Sequence, residues 1–268
     1  MDSRIAVLLP HYNNHVGLQL TLQSLIEETE RFTVFIIEDC SEDLMGVERI
    51  IKSFNHQLDI VLLINKMNLG IVKSLNRGLE HIIGLKSYDF IARLDAGDIC
   101  LDNRFKQQKE LLVNHKDIGL VGSWVRFVDM ERNKLFDFKP PCHHDTLKKF
   151  IHKYNPFVHP SVMYKKEVIE KTGLYPLEYP ALEDHAFFFK VLKSFKVFII
   201  PKILLEYEVN PYGVSAKQRK LQTASRVKLF LQEYNFTIIA TYGILRSLMT
   251  HVLPISILTL FKKKVFYK

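Results

Sequence analysis

The chain has 268 residues, 47% of them apolar and 25% charged, which is enough for a sizeable buried core and excludes disorder as the default. The formal net charge is +8 and points to an anionic partner, yet Lys262, Lys263, Lys264 and Lys268 supply half of the excess. Cys40, Cys100 and Cys142 form no CxxC pair. That argues against a disulfide framework or a zinc site and for a reducing cytosol.

The chain opens Met-Asp-Ser-Arg-Ile-Ala-Val-Leu-Leu-Pro, with no cationic stretch before a long apolar run, so no signal peptide is expected. Residues 5–9 read as a buried strand and residues 16–29 as a helix. Strands follow at 33–37, 60–64 and 90–94, alternating with helices at 44–54 and 71–83. Repeated β-α-β with wholly apolar strands predicts an α/β fold with a mostly parallel sheet covered on both faces. Such sheets bind ligands beyond the carboxyl ends of their strands. Three loops lie there: Pro10 to Asn14, Glu38 to Asp43, and Asp95 to Asp98.

The second half is less regular. A helix is expected at 103–114, a strand at 119–128, a turn at Glu131-Arg132-Asn133 and a break at Pro140-Pro141. A short strand at 161–164 leads into a helix at 165–171 that stops at Gly173. Residues 183–194 are a strong helix, with strands at 197–200 and 204–209. The expected organisation is an α/β domain at 1–214, in two halves at 1–98 and 99–214, and a helical basic tail at 215–268. Within the tail, residues 244–261 are apolar but carry Arg246, His251 and Pro254, which disfavour a membrane span. The preferred reading is an interfacial helix with a basic membrane anchor; the other is a helix packed on the domain.

Three sequence signals carry chemistry. The first strand ends Pro10-His11-Tyr12-Asn13-Asn14, where Tyr12 can stack on a base, although these are also ordinary turn residues. The second ends Glu38-Asp39-Cys40-Ser41-Glu42-Asp43. Ser41 and Asp43 suit helix capping, whereas a carboxylate at 38 or 39 can accept hydrogen bonds from a base or a ribose. The fourth gives Arg93-Leu94-Asp95-Ala96-Gly97-Asp98. Its two carboxylates suit Mg²⁺ or Mn²⁺ with diphosphate oxygens as further ligands, the alternative being a capping Asp98 and a solvated Asp95.

In this order the motifs resemble the family-2 glycosyltransferases of the GT-A fold. Pro10, Tyr12 and Asn13 match the family's opening strand, and Asp39 its uracil-contacting aspartate. Asn68-Leu69-Gly70 and Asn76-Arg77-Gly78 match its paired Asn-x-Gly stretch, and Ala92 to Asp98 its metal loop. Arg104, Phe105 and Gln108 fit the next helix, His159-Pro160-Ser161 and Gly173-Leu174-Tyr175 a later segment, and Glu183-Asp184 the pair that opens the acceptor-side helix. The match spans about residues 4–209. Two departures stand out. Glu38 and Cys40 replace Asp and Gly, and Gly97 replaces the second Asp of Asp-x-Asp. Either Asp98 takes the metal, or metal binding is weaker, or the metal requirement is relaxed.

The resemblance implies an inverting transfer of one sugar from a nucleotide-diphosphate sugar, a UDP-sugar by preference, with Asp184 as the base. Donor binding is expected at Pro10, Tyr12, Asn13, Asp39, Asn68, Lys73, Arg93 and Asp95, with metal at Asp95 and Asp98. His159 and Glu183 are acceptor-site candidates, so the resemblance implies that 1–214 is a catalytic domain with a nucleotide-sugar-binding half at 1–98 and an acceptor-binding half at 99–214. The chain lacks the Gln-x-x-Arg-Trp signature of processive polymerases, its single Trp being Trp124. By analogy the acceptor is a lipid-linked or oligosaccharide glycan of bacterial surface-polysaccharide assembly, and the protein sits on the inner face of the cell membrane. The alternative from another class is a non-catalytic nucleotide-sugar-binding or scaffold protein with a degenerate transferase fold. Nucleic acid is a poor partner, because the lysines cluster in one tail without interleaved aromatics.

Overall fold

The computed structural model describes residues 4–210 and 218–252. The first half is β1 (Ile5–His11), α1 (His15–Leu25), β2 (Phe32–Glu38), α2 (Leu44–Phe54), β3 (Asp59–Ile64), α3 (Ile71–Gly84) and β4 (Phe90–Arg93). The strands pair in parallel in the order β3-β2-β1-β4. Their alternation builds two cores. Ala6, Leu8, Phe35 and Ile37 pack beneath Leu75, Leu79 and Ile82 of α3. Ile5, Val7, Leu9, Val34 and Ile36 face Leu18 and Leu22 of α1 and Val47 and Ile51 of α2. The period of two in a strand sends neighbouring side chains to opposite faces, so a wholly apolar strand needs both layers of helices. Gly78 lets α3 approach: a Cβ there would lie 2.4 Å from Leu8 Cδ1 and 2.8 Å from Ile37 Cδ1.

The second half adds β5 (Ile99–Cys100), α4 (Arg104–Asn114), β6 (Ile118–Val128), β7 (Lys134–Phe138), α5 (His144–Phe150), a 3-10 turn (His159–Ser161), β8 (Met163–Lys165), α6 (Lys166–Thr172), α7 (Glu183–Ser194) and β9 (Lys196–Glu208). The sheet runs β3-β2-β1-β4-β8-β6-β9-β5, with β7 on β6. The mostly parallel expectation holds for β3 to β4 and for β6 with β9; β8 runs antiparallel to both β4 and β6. The two strands expected at 197–200 and 204–209 are one. Pairing passes from Ser123 with Ile200 to Trp124 with Ile203, leaving Pro201 and Lys202 as a bulge. Proline has no N–H for the ladder, and the bulge is where it is tolerated. Strands β5 and β7 and helix α5 were too short for periodicity to reveal.

Beyond residue 217 come α8 (Arg219–Gln232) and α9 (Ile238–Val252). Both pack on the preceding fold. Ser225 Oγ donates to the Pro180 carbonyl at 2.9 Å, and Arg246 Nη1 to that of Lys153 at 3.1 Å. A Cβ at Gly243 would stand 1.9 Å from the His152 carbonyl oxygen, so only glycine permits this approach. The face of α9 turned inward is small (Ala240, Gly243, Ser247), whereas Ile238, Tyr242, Leu245, Leu248, Met249 and Val252 are exposed. The packed reading therefore describes one face of α9 and leaves the other apolar face open. Among the described residues no helix is long and apolar enough to cross a membrane. Pro254 and the lysine cluster at 262–268 lie outside the described residues.

Candidate active site

The first two loops are stapled together at the carboxyl edge of the sheet. Asn13 N–H donates to Ser41 Oγ at 2.8 Å, and Glu42 N–H to Asn13 Oδ1 at 2.9 Å. Asn13 has a φ of 48°, a left-handed conformation that asparagine tolerates. Cys40 has a φ of 65°, which explains why the resembling family keeps glycine there. Pro10 is buried at the end of β1. Tyr12 is half exposed, its ring open to a ligand. Glu38 points inward and accepts from Ser41 N–H at 2.5 Å, with His11 Nδ1 also 2.5 Å away. Burial pushes its carboxyl up, but the hydrogen bonds from His11 and Ser41 together bring it below the ordinary value. Glu38 is thus a buried anchor; Asp39, itself only 5% exposed, turns to the segment before α3.

Asp39 organises the start of α3. Its Oδ1 accepts from Asn65 Nδ2 at 2.7 Å and Leu69 N–H at 2.8 Å, and its Oδ2 accepts from Gly70 N–H at 2.9 Å. These amides precede a helix, where unpaired N–H groups favour a negative charge. A carboxylate has about four acceptor positions, and these three bonds fill both on Oδ1 and one on Oδ2. Asn68 Nδ2 donates to the Asp39 carbonyl at 3.2 Å, and Lys73 is exposed in the first turn of α3. Asn65, which the sequence reading passed over, is buried and also bonds Ser74 and Arg77. Its place directly after β3 is the signal that would have found it.

The third loop centres on Arg93. Its guanidinium is buried, with Nη2 2.5 Å from Asp95 Oδ1 and Nη1 bonded to the Leu8 and Leu94 carbonyls. Asp95 Oδ2 carries no hydrogen bond among the described residues, and the side chain is 35% exposed. Gly97 has a φ of 112°, where side chains are strained. Asp98 is only 2% exposed: Oδ1 accepts from Glu208 N–H at 3.0 Å, and Oδ2 is buried without a partner. Burial and the neighbouring Asp95 push the Asp98 carboxyl well up. Asp98 therefore faces the interior while Asp95 faces the ligand side. Among the described residues no group of three or more His, Cys, Asp or Glu is poised to hold a metal. Asp95 still offers a hard oxygen that fits Mg²⁺ or Mn²⁺ if a diphosphate completes the shell.

Asp184 lies in the first turn of α7, its Oδ1 accepting from His185 N–H at 2.7 Å and its Oδ2 from Asn155 Nδ2 at 2.9 Å. Burial raises its carboxyl to about 6, although the His185 N–H and the Arg226 charge from α8 favour the ionised form. Burial and Asp184 raise Glu183 to about 7, and Glu183 Oε2 is buried without a partner. His159 Nε2 stands 2.9 Å from Tyr175 Oη, and burial pushes the imidazole well down, so it is neutral. Asn76 and the Tyr175 backbone exchange two 2.9 Å bonds, which tie α3 to this second half. The fold brings the donor loop and α7 together around Arg93. Its charge is felt by Glu183, Asp184 and His159, and Asp95 contributes to raising Glu183.

The family model for glycosyl transferase family 2 matches residues 6–173. The chain belongs to glycosyl transferase family 2. It is 24% identical over 267 residues to the amylovoran biosynthesis glycosyltransferase AmsE of Erwinia amylovora, covering 97% of this chain and 98% of that one. Among solved structures it resembles S. aureus TarS 1–349 in complex with UDP-GlcNAc (TM-score 0.70, 15% identity, 92% of this chain and 72% of that one). It also resembles the mannosyltransferase PcManGT from Pyrobaculum calidifontis in complex with GDP-Man and Mn²⁺ (TM-score 0.66, 16% identity, 94% and 71%). At these identities the structures establish the GT-A fold, and the family establishes a glycosyltransferase.

Proposed function

We propose that this glycosyltransferase moves a single sugar, with inversion, from a UDP-sugar to a hydroxyl of a lipid-linked or oligosaccharide acceptor in surface-polysaccharide assembly. The observation that carries the reading is the meeting of the Asp95 loop with a raised carboxylate at Asp184 around the Arg93 guanidinium. Tyr12, Asp39, Asn68 and Lys73 hold the nucleoside diphosphate in this reading. The relative AmsE is named for polysaccharide biosynthesis, and TarS has been solved with UDP-GlcNAc.

In this reading Asp184 takes the proton of the acceptor hydroxyl as the oxygen attacks the anomeric carbon. The bond from that carbon to the diphosphate oxygen breaks on the opposite face, and the nucleoside diphosphate leaves. A carboxyl raised to about 6 is still mostly ionised at neutral pH and is a stronger base than an ordinary aspartate. Asn155 holds its Oδ2 in place. Arg93 fixes Asp95, and Lys73 offers a charge to the departing diphosphate. A divalent cation bound at Asp95 supplies charge neutralisation for that leaving group.

The open apolar face of α9, followed in sequence by Lys262, Lys263, Lys264 and Lys268, supports docking on an anionic membrane surface. In this reading the enzyme sits on the inner leaflet beside a lipid-linked acceptor. A screen of nucleotide sugars for binding, followed by NMR of the product linkage, tests the chemistry. Asp184→Asn should bind the donor normally and transfer no sugar. Retained configuration in the product, or no turnover with any donor and metal, refutes the reading. Sedimentation with phosphatidylglycerol vesicles tests the surface. Binding should fall when the four lysines become Gln, and undiminished binding refutes the anchor.

A further inference from the structure

The donor loop lacks the second carboxylate of its family's pattern, and the fold puts another one in that space. A Cβ built on Gly97 would lie 3.4 Å from Glu208 Oε1 and 3.6 Å from Glu208 Cδ. The Glu208 carboxyl thus borders the position a Cβ at 97 would take, at van der Waals distance, as does Asn14 Nδ2 at 3.6 Å. An aspartate at 97 would be disfavoured twice, by the φ of 112° and by the charge already there.

Glu208 is held firmly at the end of β9. Its N–H donates to Asp98 Oδ1 at 3.0 Å, and the next residue, Val209, donates its N–H to the Val128 carbonyl at 2.8 Å. Its Oε2 is 3.4 Å from Arg132 Nη2, and the same nitrogen donates to the Gly97 carbonyl at 2.7 Å. Arg132 therefore clamps three segments: the β6–β7 turn, the donor loop and the end of β9. Glu208 Oε1 carries no hydrogen bond among the described residues and is the oxygen nearest the Gly97 position. Asp98, the expected second ligand, has Oδ1 committed and Oδ2 sealed from solvent. Two carboxylates with a free oxygen each, Asp95 and Glu208, remain at the loop, and hard oxygens of this kind take Mg²⁺ or Mn²⁺ with diphosphate oxygens filling the shell.

We propose that Glu208 supplies the second carboxylate of the donor loop's divalent-cation site, in place of a side chain at position 97. The inference rests on the reading of Asp95 as the first ligand. Mn²⁺ binding to the full chain in the presence of UDP, followed by loss of the free-ion EPR signal, tests it without requiring turnover. Glu208→Gln keeps the size and the backbone bond to Asp98, and should weaken Mn²⁺ at least about tenfold, in the range seen when groups around a metal are removed. Asp95→Asn should do the same, whereas Glu206→Gln, which leaves both loop carboxylates in place, should hold Mn²⁺ close to the parent; Asp98→Asn, which reaches the site only through the Glu208 N–H, should weaken it less than either. If Asp95→Asn weakens Mn²⁺ and Glu208→Gln does not, the assignment of Glu208 is overturned and the loop site stands. The assignment is also overturned if Asp98→Asn alone abolishes binding. If Mn²⁺ does not bind with UDP, or neither Asp95→Asn nor Glu208→Gln weakens it, both readings fall.

Discussion

Replacing Asp184 by Asn should stabilise the protein, and by an amount that depends on pH. The Asp184 carboxyl holds its proton to about 6 against an ordinary 3.8, with burial as the leading cause. A group raised in this way contributes stability that is fully present below the unfolded value and is lost as pH rises through the folded one. Near pH 8 the buried charge disfavours the fold by on the order of 3 kcal/mol, and near pH 5 by about half of that. Asn removes the charge and keeps the shape. It has one acceptor oxygen where Asp184 has two, each holding a donor, His185 N–H and Asn155 Nδ2. Losing one of those bonds costs about 1 kcal/mol at either pH. Asp184→Asn should therefore be more stable than the parent near pH 8, by on the order of 2 kcal/mol, and the advantage should shrink toward nothing near pH 5. Removing the charge also relieves Glu183, for which Asp184 is a raising influence, with the same sign. Urea denaturation at the two pH values measures the gap directly. A gap that is independent of pH, or that widens on acidification, refutes the assignment of a buried, reluctantly ionised Asp184.

Three further outcomes test the frame around the site. Gly243→Val should displace α9 from the His152 carbonyl that a Cβ would approach to 1.9 Å, lowering stability by about 1–3 kcal/mol and exposing the tail to limited proteolysis. Gly78→Ala should cost a similar 1–3 kcal/mol, roughly, by overpacking Leu8 and Ile37, as seen in the thermal midpoint. Asp39→Ala releases the amides of Leu69 and Gly70 together with Asn65, so UDP binding measured by calorimetry should weaken at least about tenfold, with increased hydrogen exchange at 65–70.

The strands and helices of the first half were legible because their signal is local. A parallel strand sealed on both faces must be apolar throughout, and the helices covering it must carry a stripe with a period of 3.6. The same locality placed Asp39, Asp95 and Asp184 at element ends. The short β5 and β7, the single strand β9 and the antiparallel β8 were not legible, because they are defined by which partner lies alongside. For Asn65 the one local signal, its place directly after β3, is shared with ordinary turn residues; its bonds to Asp39, Ser74 and Arg77 show it beneath the Asp39 loop.

By itself, then, the sequence determined the class of fold, the family and the carboxylates that face the carboxyl edge of the sheet, since each is written in residues close together in the chain. The tertiary structure decided which of those carboxylates turns inward. Glu38 and Asp98 are sealed and paired with backbone N–H groups, whereas Asp95 is turned outward by Arg93. It also decided that a glutamate from the far end of β9 stands beside Gly97, and that α9 packs its small face and leaves its large one open. These outcomes depend on the desolvation and pairing of groups distant in sequence, which no local pattern encodes.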